Sequence, residues 1–142
     1  MKSIFVILLL LAAGIAVGLY FLGQQSQDGS AAGLVQGKLS ACPSSPNCVS
    51  SENGTAQSQS VEALPASDWQ RLPAAIEAMG GSITQRNGNY IAAEFTSSVF
   101  KFTDDVEFRL DGDAVHVRSA SRVGYSDMSA NRNRIEALRA QL

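Results

Sequence analysis

The chain has 142 residues, with 11 Lys and Arg against 13 Asp and Glu and a formal net charge of −2. That is the length of a single domain, and no basic excess points to nucleic acid. One histidine and two cysteines fall short of the four ligands a structural zinc site wants, so no metal or cofactor is expected.

The first predicted element is a helix. Ile4 to Leu22 is a run of nineteen residues without a charge; Lys2 precedes it and Asp28 is the next charge. At about 1.5 Å per residue it spans roughly 28 Å, close to a bilayer's hydrocarbon core. A secretory signal has a shorter apolar core and a small-residue cleavage site close behind it. Here the one such site, Ser30 to Ala32, lies well beyond the run. Residues 1–23 therefore read as an uncleaved transmembrane anchor in preference to a removed signal. Lys2 puts the N-terminus in the cytoplasm and the rest outside it, the alternative being secretion after cleavage. Leu39 to Cys42, LSAC, has the form of a lipoprotein processing box, but sixteen residues, Gly23 to Lys38, separate it from the apolar run, which argues against lipidation. Residues 24–38 are Gly, Ser and Gln rich and read as a flexible linker, leaving a globular domain over 39–142.

The cysteines sit in CPSSPNC, Cys42 and Cys48. Export favours a disulfide, and Pro43 and Pro46 stiffen the chain between them. A redox dithiol has two intervening residues rather than five. After a polar stretch, Pro73 opens a predicted helix to Met79, with Leu72, Ile76 and Met79 on one face and Gly80 and Gly81 ending it. Strand-like runs follow: a short one at Ser82 to Gln85, NYIAAEF after an Asn87-Gly88 turn signal, SVFKFT, DVEFRLD, and AVHVRSAS after an Asp111-Gly112-Asp113 turn. A final helix runs through MSANRNRIEALRAQL, with Ser126 or Ser129 available as cap and Asp127 suited to its dipole. The fold class is α+β: an antiparallel four- to five-stranded meander with two helices packed on one face.

The stretch VRSASRVGYSD, Val117 to Asp127, ends the last strand. Alternation places Val115, Val117, Ser119 and Ser121 on one face, and His116, Arg118, Ala120 and Arg122 on the other. The valines belong against the helices, so the arginines project from the opposite face. Asn131, Arg132 and the free N–H groups of the last helix return toward the strand's end. Guanidinium forks, hydroxyls and a helix N-terminus are what recognition of a carboxylate or phosphate requires. Pairing with Asp104, Asp105, Glu107 and Asp127 is the competing use of the same groups.

Three motifs in order, CPSSPNCVSS, FTDDVEFRLD and VRSASRVGYSDMSANRNRIEALR, make Leu39 to Leu142 resemble the domain of unknown function 1499 family. The resemblance implies an exported or membrane-attached bacterial domain with relatives in plastids, and no established activity. It marks Cys42, Pro43, Asn47, Cys48 and Ser50; then Asp104, Asp105 and Glu107; then Arg118, Ser119, Ser121, Arg122, Gly124, Asp127, Asn131 and Arg132. Ser129 stands where the family has glycine.

The favoured reading is a membrane-tethered binding or scaffold module, attached through residues 4–22. Its polar site of Arg118, Ser119, Ser121, Arg122, Asp127, Asn131 and Arg132, with Asp104, Asp105 and Glu107, would take an anionic small molecule or an envelope protein. One alternative is a hydrolase or transferase with Asp104, Asp105 or Glu107 as base and the arginines stabilising an oxyanion, though G-x-S-x-G is missing and His116 has no orienting partner. The other is a structural envelope protein whose polar motifs only hold the fold.

Overall fold

A computed structural model describes residues 2–142. Its first element, α1 (Lys2–Gln27), is long and apolar enough to cross a membrane, and nearly all of it is exposed. Two short strands follow, β1 (Leu34–Val35) and β2 (Lys38–Leu39), paired as a hairpin. Then come β3 (Cys48–Ser50), β4 (Leu64–Pro65), α2 (Leu72–Ala78), β5 (Ser82–Asn87), β6 (Tyr90–Thr96), β7 (Thr103–Asp111), β8 (Ala114–Ser121) and α3 (Ala130–Arg139).

β5 to β8 form the expected antiparallel meander. The β5–β6 and β7–β8 connections are two-residue hairpins, with Asn87 opposite Tyr90 and Asp111 opposite Ala114, and Gly88 and Gly112 supplying the positive φ such turns need. Two pieces not foreseen as strands extend the sheet to six: β3 and β4 both pair with the outer edge of β8. The SVFKFT run, by contrast, is not a strand of its own. Residues 97–102 are the loop between β6 and β7, where Lys101 has positive φ and the Ser97 hydroxyl accepts from the Phe102 amide. Phe100 and Phe102, which would share one face of a strand, meet edge to face within the loop.

Both helices cover one face. Leu72 and Ile76 of α2 and Ile135 and Leu138 of α3 bury against Ile91, Val106, Phe108, Val115 and Val117. Trp69 belongs to the same core. Pro73 occupies the first turn of α2, where its missing N–H costs nothing. Neither Ser126 nor Ser129 caps α3. Ser129 is in the left-handed region (φ 67°) and its side chain makes no capping bond; Asp127 serves instead, its Oδ2 accepting from the Asn131 amide at 2.8 Å. A left-handed backbone is one that glycine adopts without strain and serine does not.

The opposite face is not open to solvent. Residues 24–38, whose composition suggests a flexible linker, continue α1 to Gln27 and then lie along this face. Ala31 and Leu39 pack on Tyr90 and Ala92 there. The end of α1 is itself seated on the start of β7. The Ser26 hydroxyl accepts from the Thr103 amide at 2.9 Å, and a Cβ at Gly23 would overlap the Phe100 carbonyl.

Cys42 and Cys48 form the disulfide, with Cα atoms 5.6 Å apart, and so tie the loop before β3 to the sheet edge. Closing so short a loop contributes about 2 kcal/mol by chain entropy. Replacing both cysteines by serine, or reducing the bridge, is expected to lower unfolding stability by that amount. The fluorescence of the buried Trp69 during denaturant titration of the full chain reads the loss.

Candidate functional site

Alternation along β7 and β8 sends the residues singled out by the sequence to two faces of the sheet. Asp105, Glu107, Arg118 and Arg122 lie on the face away from α2 and α3. Asp104, Ser119 and Ser121 lie on the helix face, near Asp127 and Asn131. Arg132 is in a third place, donating to the carbonyls of Ser60 at 2.8 Å and Ser58 at 2.9 Å and so pinning the chain between β3 and β4.

On the face away from the helices three arginines each meet carboxylates. Glu107 is wholly buried. Its Oε1 accepts from the Tyr90 hydroxyl and the Gly33 amide, both at 2.7 Å, and its Oε2 from Arg118 Nη1 at 2.9 Å. The Arg118 Nε is buried with no hydrogen-bond partner. Toward the α1 end, Arg122 grips Asp105 with Nε at 2.8 Å and Nη2 at 2.6 Å, also reaches Glu94, and gives Nη1 to the Ser26 carbonyl at 3.0 Å. Toward the hairpin end, Arg109 forks onto Glu52 at 2.9 and 3.2 Å and reaches Asp111 at 2.7 Å. Such forks suit the planar guanidinium geometry.

The environment shifts several of these groups. Burial, then the hydrogen bond to Glu107, pushes the Tyr90 phenol well above its usual range, so it remains a donor. The hydrogen bonds to Asp105, against the opposing effect of burial, hold Arg122 firmly charged. Burial pushes the Glu52 carboxyl up, but the hydrogen bonds from Arg109 and the Leu39 amide, with the charge of Arg109, together outweigh it and leave the group below its ordinary value.

On the helix face Asn131 is the hub. Its Oδ1 accepts from the Ser119 hydroxyl at 2.6 Å and from Arg134 Nη1 at 2.7 Å. Its Nδ2 donates to the Asn47 carbonyl, Ser121 Oγ and Asp127 Oδ2. Arg134 in turn bonds Asp104 at 2.6 Å and lies over the Phe95 ring. The disulfide loop joins here, because Asn47 also donates to the Gly124 carbonyl at 2.7 Å.

Sequence reasoning missed Glu52, Tyr90, Glu94, Arg109, Arg134 and Ser26. Arg134 was within reach of it, since three residues after Asn131 falls on the same side of a helix. Tyr90 and Arg109 face each other across β6 and β7, a pairing visible only once the register is known. Glu52 and Ser26 come from loops and helix ends with no local signal.

Three of the four predicted carboxylates are thus matched to a guanidinium, Asp104 to Arg134, Asp105 to Arg122 and Glu107 to Arg118, while Asp127 accepts from Ser129 and Asn131. An anion arriving at Arg122 would have to displace a buried carboxylate; Arg118 keeps Nε unpaired, but that atom has no access to solvent. The vacant space lies elsewhere. A cavity of about 510 Å³ opens at the end of the sheet where α1 arrives, lined by Leu19, Leu22, Phe95, Phe102, Val123 and Met128, with Asp104, Ser121, Asp127 and Arg134 among its polar members.

A family model described as Protein of unknown function (DUF1499) matches residues 38–142, and the chain belongs to that family. No curated protein matches the chain.

Two outcomes follow from the buried pairs. Glu107→Ala leaves Arg118 charged and unpaired, and is expected to cost about 3–5 kcal/mol, whereas the double change Glu107→Leu with Arg118→Met removes the stranded charge and is expected to cost less, the remainder being the acceptor lost to the Tyr90 hydroxyl and the Gly33 amide; chemical denaturation of the variants distinguishes these. Because the folded-state pKa of Glu52 lies below its ordinary value of 4.5, its stabilisation is complete above that value and is lost as pH falls through the lower folded one. Melting temperature is therefore expected to fall more steeply with acid below pH 4.5 in the parent chain than in Glu52→Gln.

Proposed function

We propose, from a family membership that carries no activity, that the protein is a membrane-anchored extracytoplasmic binding module whose domain is held against the bilayer by its own anchor. The observation that carries this reading is the junction of α1 with the sheet. Gly23 admits the Phe100 backbone, Ser26 accepts from Thr103, and Arg122 reaches the Ser26 carbonyl. A guanidinium at a helix C-terminus also meets the negative end of its dipole. The apolar run ends at Leu22, one residue before this contact, so a helix that spans the membrane delivers the domain directly onto its surface.

Two loops share that end of the sheet. Residues 97–102 join β6 to β7, and residues 122–129 join β8 to α3. Val99, Tyr125 and Met128 are among the most exposed apolar side chains outside α1, Met128 at 92 %. Exposed apolar groups beside a membrane helix are suited to the headgroup boundary. The hairpins at Gly88 and Gly112 lie at the other end of β7, about 30 Å away by the rise of nine residues. The disulfide supports the same placement, since such bonds persist in oxidising compartments. Binding is assigned to this membrane-proximal end and not to the Arg118 and Arg122 side chains, which are engaged with Glu107, Asp105, Glu94 and Ser26.

Full-length protein reconstituted in phosphatidylethanolamine vesicles tests the placement. A fluorophore on Val99→Cys or Tyr125→Cys is expected to be quenched by doxyl lipids several-fold more than one on Asp113→Cys, and Gly23→Leu should abolish the difference. Equal quenching at both ends, or recovery of the domain from cells as a soluble fragment without α1, overturns the reading.

A further inference from the structure

We infer that the cavity at the α1 junction is a lipid site, taking one hydrocarbon chain of a neutral, hydroxyl-bearing lipid from the surrounding bilayer. The inference rests on the membrane placement proposed above and goes on to name what the site receives. Its volume, about 510 Å³, falls in the range of small-molecule sites, which are mostly apolar with a few convergent polar groups. The walls have that character: Leu19 and Leu22 on one side, Phe95, Phe102, Val123 and Met128 on the others.

The source of the occupant follows from the first two. Leu19 and Leu22 belong to the uncharged run that ends at the junction, so one wall of the cavity is the outer end of the anchor itself. A chain lying along α1 enters the cavity without crossing water, and its apolar surface stays covered at every stage. Water-soluble ligands would meet the exposed Met128 side of the same opening and find little to bond.

The headgroup follows from the polar lining. The charges of Asp104 and Arg134 are spent on each other at 2.6 Å. Asp127 is occupied by the amides of Ser129 and Asn131. No unpaired cation remains in the lining to balance a phosphate or carboxylate, and burying an unmatched anion is costly. The hydroxyls of Ser97, Ser121 and Ser126 each accept one hydrogen bond, from the Phe102 amide, Asn131 and the Met128 amide, and each keeps its own proton to donate to an alcohol or ester oxygen. A neutral head is accordingly matched and an anionic phospholipid is not.

The test uses full-length protein in phosphatidylethanolamine vesicles containing a long-chain alcohol with a diazirine in its chain. Irradiation is expected to label peptides from residues 95–103 or 121–134 as well as α1. Unlabelled monoacylglycerol should reduce the domain labelling at least several-fold, and phosphatidylglycerol at the same mole fraction should not. Ala130→Trp or Val123→Trp, which fill the cavity, should remove the domain labelling while leaving that of α1; the Trp69 unfolding transition identifies which of the two retains the fold. Labelling confined to Ile4–Leu22, domain labelling that survives filling in a folded variant, or competition by phosphatidylglycerol equal to that by monoacylglycerol each overturns the assignment. A failed lipid site leaves the doxyl-quenching difference intact, whereas a failed membrane placement removes it.

Discussion

One buried carboxylate organises the face of the sheet that carries no helices. Glu107 has no access to solvent, so its charge is met by protein. Three donors from three parts of the chain do this: Tyr90 from the neighbouring strand, Arg118 from the strand on the other side, and the Gly33 amide from the segment after α1. Ionised carboxylates are tolerated inside a protein only under such conditions. Once Glu107 is in place, the segment 29–39 has a fixed point on the sheet, and Leu39 and Ala31 fall onto Tyr90 and Ala92. The carboxylate thus holds the stretch that leads from the anchor into the domain.

The two faces of the sheet use polarity for different ends. On the helix face, the apolar core gives way at the β8 end to a network centred on Asn131, which draws together the disulfide loop, the end of β8 and the start of α3. On the other face, charged forks take the place of an apolar layer. Arg109, Arg118 and Arg122 form a row in which each guanidinium ties a strand to something outside the meander or to its neighbour: Glu52 in the loop after β3, Glu107 beneath Gly33, Ser26 at the end of α1. A domain of about a hundred residues has little apolar material to spare. Charge pairs with good geometry let both faces of one sheet be covered from that supply.

The sequence was most legible where periodicity and turns decide. The hairpins at Asn87-Gly88 and Asp111-Gly112-Asp113, the inward valines of β8 and the helices before and after the meander in the chain all follow from local pattern. It was least legible where the outcome depends on long-range register. VRSASRVGYSD looks like one polar site because its residues are contiguous; in the fold, odd and even positions part to opposite faces, and each takes partners from strands or loops far along the chain. Residues 24–38 likewise hold few bulky apolar groups, Leu34 and Val35, and both are exposed; what places this segment on the sheet is a backbone amide at Gly33 and the hydroxyl of Ser26, neither of which a composition reveals. SVFKFT alternates like a strand, but Ser97 and Lys101 close it into a loop that receives Gly23.

Arg122 joins the acidic pair Asp105 and Glu94 to the final turn of α1, and Gly23 permits only one approach to Phe100. The apolar helix therefore leaves the domain at a set rotational phase as well as at a set point. With 3.6 residues per turn, a single residue inserted between Leu22 and Ser26 would swing every side chain of Ile4–Leu22 by about 100° about the helix axis relative to the sheet. The flank of the anchor that meets neighbouring lipid or protein is thus chosen by an ion pair outside the apolar layer, and the domain acts as a compass for its own stem.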